Sequence, residues 1–126
     1  MALVLAGVIL PGCERARPAE ERPSVDVMQQ APLFQPARVT ERHTSRETVE
    51  TRFHSPVAAD SIAAWYRDAF DRRGWEIVGD LTGPDGVITL HVAREGPPLW
   101  VIIRPSTDGS DFSLIGAAPD TTRTEP

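Results

Sequence analysis

The chain has 126 residues, enough for one domain and too few for two. Charged residues make up 25% and hydrophobic residues 40%, a globular composition rather than that of a disordered or wholly membrane-embedded chain. The formal net charge is −5 and no Arg cluster builds a basic face, which argues against nucleic-acid binding; the single Cys excludes an internal disulfide and a Cys-rich zinc site.

Residues 2–10, Ala-Leu-Val-Leu-Ala-Gly-Val-Ile-Leu, form an unbroken apolar run. As a helix it would span roughly 14 Å against about 30 Å of bilayer hydrocarbon, so it is too short to cross a membrane. It has the length of the apolar centre of a signal peptide. Pro11 and Gly12 end the run, Cys13 follows, and the character switches at once to Glu14, Arg15, Arg17, Glu20, Glu21 and Arg22. Leu10-Pro11-Gly12-Cys13 resembles the lipobox of bacterial lipoproteins, with an apolar residue three before the Cys. Pro11 stands where Ala or Ser is usual in that family, and no Lys or Arg precedes the run. The resemblance implies diacylglycerol on the Cys13 thiol, cleavage between Gly12 and Cys13 by signal peptidase II, and acylation of the new amino terminus. Glu14 is not the Asp that often retains enteric lipoproteins at the inner membrane, so the resemblance favours the outer membrane. Each buried methylene contributes about 0.8 kcal/mol and one acyl chain holds a protein only marginally, whereas two or three hold it stably. Two other readings are an ordinary buried Cys, for which the surroundings are too polar, and a cleavable signal without lipid, for which no A-x-A site appears.

Residues 14–38 contain Pro18, Pro23, Pro32 and Pro36 with scattered charge and no sustained apolar period. Such a segment buries too little to offset its chain entropy, and a flexible tether is expected over 13–38. Val25, Val27, Met28, Leu33 and Phe34 are either isolated apolar residues in that linker or a short docking segment.

A folded domain is expected over 39–118, with a disordered tail at 119–126. Arg46 to His54 alternates, with Val49, Thr51 and Phe53 on one side, which predicts a half-buried strand. Ser55 and Pro56 suit an N-cap and a first helical turn. A helix is predicted over 58–73, where Ile62, Trp65, Tyr66, Ala69 and Phe70 follow helical spacing. Gly74 should close it in a left-handed conformation, with Trp75 folding back on the last turn. Four strands should follow, at 75–81, 87–94, 99–104 and 111–117, separated by Gly- and Pro-rich turns. The third is the most apolar and should be central; in the fourth, Phe112 and Leu114 should face inward. The predicted fold class is α+β, a β-α-β-β-β-β two-layer sandwich with one helix on an antiparallel sheet. The stretch Trp65-Tyr66-Arg67-Asp68-Ala69-Phe70 followed by Gly74-Trp75 also resembles small domains that follow the tether in bacterial lipoproteins, a likeness of fold that implies no chemistry.

Residue sets for chemistry are sparse. Gly83-Pro84-Asp85-Gly86 precedes a strand rather than a helix, so it is a turn and not a phosphate loop, and there is no Gly-x-Ser-x-Gly elbow. His54 and His91 fall on the face away from the helix and would approach if their strands were adjacent, making them weak metal candidates without an evident third ligand. His43 is the remaining histidine. Asp80, Asp85, Asp108 and Asp111 lie in or beside turns, which accounts for them without a cation. Trp100 alternates with Leu99 and Val101, which puts it on the exposed sheet face with Ile102 and Ile115, either a candidate interaction surface or a patch covered by the N-terminal tether or a neighbouring chain.

The resulting expectation is a non-enzymatic, membrane-anchored lipoprotein facing the periplasm, without a cofactor, presenting its domain to another protein of the cell envelope. A periplasmic carrier of a small ligand or metal through His54 and His91 is the alternative.

Overall fold

The computed structural model describes residues 27–118. The expected signal peptide, the lipidation site at Cys13, the first part of the tether and the 119–126 tail lie outside the described residues. The elements are α1 (Val27–Gln30), β1 (Arg38–Thr44), β2 (Thr48–Ser55), α2 (Ala59–Arg72), β3 (Glu76–Thr82), β4 (Ile88–Ala93), β5 (Leu99–Ser106) and β6 (Gly109–Ala117). The six strands form one antiparallel sheet in the order β1-β2-β6-β5-β4-β3. The α+β class, the single principal helix and the antiparallel meander β3–β6 agree with the sequence reading, and β5 is interior as expected.

Burial follows the period-two pattern. Ile88, Leu90 and Val92 of β4 and Leu99, Val101 and Ile103 of β5 are buried on one face, against which α2 packs. From α2, Ile62, Ala63, Tyr66 and Phe70 are fully buried. The helix ends as its sequence dictates. Gly74 has φ 81°, Trp75 N–H donates to the Phe70 carbonyl at 2.9 Å, and Gly74 N–H donates to that of Asp71 at 3.3 Å. This is the Schellman arrangement, which glycine enters without the steric penalty of a side chain.

Three expectations need correction. First, there are six strands rather than five. The additional β1 carries one large apolar residue in Arg-Val-Thr-Glu-Arg-His-Thr and is exposed along its whole length, so hydrophobic periodicity cannot reveal it. It is held by its backbone ladder with β2 and by Arg52, which reaches Glu41 at 3.1 Å. Second, residues 27–37 are not spacer. Val27 and Phe34 are buried, and the Phe34 ring meets Trp65 edge-on with centroids 5.4 Å apart. Phe34 N–H donates to the Tyr66 hydroxyl at 3.2 Å. Burial of that hydroxyl raises the Tyr66 pKa far above its ordinary 10, keeping it neutral. Trp65, which shares the apolar spacing of α2, is half-buried and packs against this docked segment.

Third, Ser55 is not the N-cap, and Pro56 lies before the helix. The cap residue is Ala58, with no side-chain cap bond. Ser55 is instead buried at the end of β2, where its hydroxyl accepts the Val57 N–H at 3.2 Å.

Arg67 on α2 clamps Asp80 on β3 through two bonds, Nε to Oδ2 at 2.8 Å and Nη2 to Oδ1 at 3.0 Å. These bonds hold the Asp80 carboxyl below its ordinary 3.8, against an opposing effect of burial. A depressed folded-state value means that the clamp stabilises the fold above the ordinary carboxylate range and is lost as the pH falls through the depressed value. Both side chains are more than a third exposed, so solvent screening keeps the contribution small. Asp80→Asn should cost about 0.5 kcal/mol at pH 7, and its difference from the parent should shrink as the pH is lowered below the ordinary carboxylate range, as read by urea denaturation across that range.

Gly116 makes room for the docked segment. A Cβ there would stand 2.6 Å from Val27 Cγ1 and 3.1 Å from Met28 Sδ. Gly116→Ala should therefore displace α1 and spare the sheet, costing about 1–2 kcal/mol. Faster amide exchange should be confined to residues 27–34.

Candidate functional site

The sheet face opposite α2 is the candidate site. Its residues fall in rows set by strand register. One row runs Glu50, Ile115, Trp100, His91, Gly79 across β2, β6, β5, β4 and β3. The next runs Arg52, Ser113, Ile102, Thr89, Leu81. A third holds His54, Asp111 and Arg104. Trp100, Ile102 and Ile115 thus lie together, as their alternation predicted. Trp100 is 37% exposed, and Ile102 and Ile115 are half-buried.

Trp100 is held flat. The His91 ring stacks on it with centroids 3.8 Å apart and planes 2° from parallel. Gly79 is the next residue in that row, and a Cβ on it would come 3.3 Å from the His91 Cβ. Glycine there leaves His91 the width it occupies.

Two large apolar residues extend this surface. Val78 is 50% exposed and Leu81 is 69% exposed. The facing of Leu81 depends on a β-bulge in β3, where the register slips between Ile77 and Gly79. Ile77 pairs with core-facing Val92, so strict alternation would turn Leu81 to the core as well. The extra residue instead pairs Leu81 with Thr89 on the open face. Periodicity alone hides this reversal, and the mid-strand glycine at 79 was its available signal.

The open face is divided. The β3–β5 side holds the apolar residues, whereas the β1–β2 side is charged. There Arg52 pairs with Glu50 at 2.9 Å and with Glu41 at 3.1 Å. The Arg52 hydrogen bond is the chief reason that the Glu50 carboxyl lies below its ordinary value. A shallow depression of about 340 Å³ lies over this side, lined by residues including Arg52, Arg104, Asp111 and Ser113. Arg104 and Asp111 are register partners, but the Asp111 carboxylate is turned to His54.

The two candidate metal histidines do not meet. β2 and β4 are separated by β6 and β5, three strand spacings or about 14 Å. The rows also offset them along the strands. His54 instead sits between carboxylates, its Nδ1 2.8 Å from Asp111 and its Nε2 3.6 Å from Asp108. His43 pairs with Glu41 on β1. Among the described residues no group of three or more His, Cys, Asp or Glu is placed to hold a metal ion. The four turn aspartates have partners within the fold: Asp80 has Arg67, Asp85 accepts the Val87 N–H, Asp108 accepts the Ser106 hydroxyl, and Asp111 has His54.

Removing the Trp100 ring takes away a stacked pair and part of a surface patch, but no core residue. Trp100→Ala should lower stability by about 1–2 kcal/mol and leave the cooperative unfolding transition intact, as measured by urea denaturation. Loss of the transition would place Trp100 in the core of the fold instead.

Comparison with known proteins gives one match. A family model described as START domain-like covers residues 35–110, more than half of the chain, from the approach to β1 into the start of β6. No curated protein matches the chain, and no solved structure matches it. On the extent of that match, the chain belongs to the START domain-like family.

Proposed function

We propose that this START-like domain is a non-catalytic binding module, held at the bacterial cell envelope by lipid on Cys13 and acting through the open face of its sheet. The observation that carries the reading is the exposed apolar patch of Val78, Leu81 and Trp100, continued by Ile102 and Ile115, on the face that α2 leaves uncovered. Membership of a START domain-like family favours binding over chemistry. Tyr66, Phe70, Leu90 and Phe112 are fully buried between α2 and the sheet, which directs binding to the outer face. A metal carrier built on His54 and His91 has no support from their positions.

Anchoring rests on the likeness of Leu10-Pro11-Gly12-Cys13 to a lipobox, and the preference for the outer membrane on Glu14. Among the described residues, no helix is long and apolar enough to cross a membrane. Lipid on one residue supplies the attachment in this reading, since two or three acyl chains hold a protein stably. Intact mass of the membrane-extracted protein should show a chain beginning at residue 13 with a covalent lipid adduct. Cys13→Ser should move the protein from the washed membrane fraction to the soluble one. Equal retention of the Cys13→Ser variant after washing would overturn the anchor.

A further inference from the structure

We infer that the surface met by the Trp100–Leu81 patch is the lipid bilayer itself, so that the anchored domain lies with the β3–β5 side of its open face against the headgroup layer. This inference rests on the anchoring proposed above and adds an orientation to it.

The first argument is where the chain enters the fold. Val27 sits over Gly116, the register partner of Leu99 on the α2 side of the sheet. The adjacent pair in that ladder is Ile115 and Trp100, whose side chains turn to the open face. The chain running from Cys13 therefore joins the domain at the end of the sheet that carries the patch. Thirteen residues, 14–26, separate Cys13 from Val27. Even fully extended they reach at most about 50 Å, so a lipid at Cys13 keeps this end of the domain within about that distance of the surface.

The second argument is chemistry. Indole rings favour the boundary between hydrocarbon and water, and here one is flanked by Ile102, Ile115, Leu81 and Val78. The carboxylates on the open face that would meet an anionic headgroup unfavourably are Glu41, Glu50 and Asp111. Glu41 and Asp111 lie away from the patch, whereas Glu50 borders it as the register partner of Ile115; all three are ion-paired, to Arg52 or to His54. Glu76, at the corner of β3, and Glu95, between β4 and β5, border a groove that they share with Arg73 and Arg94.

The third argument is energetic. A patch of this size binds a surface weakly by itself. A tether makes the contact intramolecular, at an effective concentration in the mM range for a short flexible link, so a weak contact is sufficient.

The test uses the full chain carrying its lipid, reconstituted into phosphatidylethanolamine–phosphatidylglycerol vesicles with brominated acyl chains. Lipid occupies the Cys13 sulfur, so a thiol dye reports only the introduced site. Leu81→Cys and Val39→Cys are compared, because both positions are highly exposed, at 69% and 59%, and tolerate substitution. Val39 lies on β1, at the far edge of the sheet. The expected result is a blue-shifted dye at position 81, quenched at least twofold more than at position 39, with Trp100→Ser reducing the difference. Equal quenching at the two positions, or none, overturns the docking while a lipid adduct by mass leaves the anchor standing. Absence of the adduct overturns both. A dye at position 81 that is shielded in native envelopes but not in protein-free vesicles overturns the docking in favour of a protein occupant.

Discussion

Phe112 is the point on which the rest of this fold depends. It lies in β6, the strand that joins the β1–β2 hairpin to the β3–β5 meander. Its ring stacks on Phe53 of β2 at 5.0 Å and meets Tyr66 of α2 at 6.0 Å and Phe34 of the docked N-terminal segment at 6.3 Å. Hairpin, helix and N-terminal segment thus converge on one fully buried side chain. The start of the same strand is equally constrained. Gly109 has φ 137°, and a Cβ there would collide with the backbone of Ser55 and Pro56. The Ser110 hydroxyl donates to the Val57 carbonyl at 2.8 Å. The link from β2 to α2 is therefore pinned to β6, and the helix is aimed across the sheet from there.

This convergence explains what was legible in the sequence. The meander and α2 rest on local signals: period-two alternation, helical spacing at Ile62, Tyr66 and Phe70, and glycine at a helix end. Each is encoded within a few residues of where it acts, and each was readable. β1 has no such signal, and the apolar residues of α1 and its flank fitted a linker as well as a docking segment. β1 is exposed throughout and exists because β2 offers it a backbone edge, while Val27 and Phe34 matter because Gly116 and Phe112, far along the chain, leave space for them. Tertiary partners carry information that a local pattern lacks.

The site divides in the same way. Trp100, Ile102 and Ile115 were readable because their strands alternate without interruption. Leu81 was not, because a single extra residue reverses the facing of the rest of β3. Whether His54 and His91 approach was a question of strand order, and antiparallel turns constrain only neighbours in sequence. β2 is followed by a helix, so its place in the sheet was free, and it pairs with β6 rather than with the strand that follows α2.

The bulge also bears on why the exposed side of the sheet can be apolar without inviting indiscriminate strand pairing. β3 is an edge strand, and an edge with uninterrupted backbone groups is a template for another chain. A bulge disturbs that template, and the Arg67–Asp80 clamp holds the strand against α2. Protection of the backbone edge leaves the apolar side chains on the face as the available contact. In the proposed reading the contact is then one of surface rather than of strand addition. The flat His91–Trp100 stack, with Gly79 beside it, offers a plane and not a cleft. With the neighbouring edge blunted, that plane is the apolar surface that the open face presents.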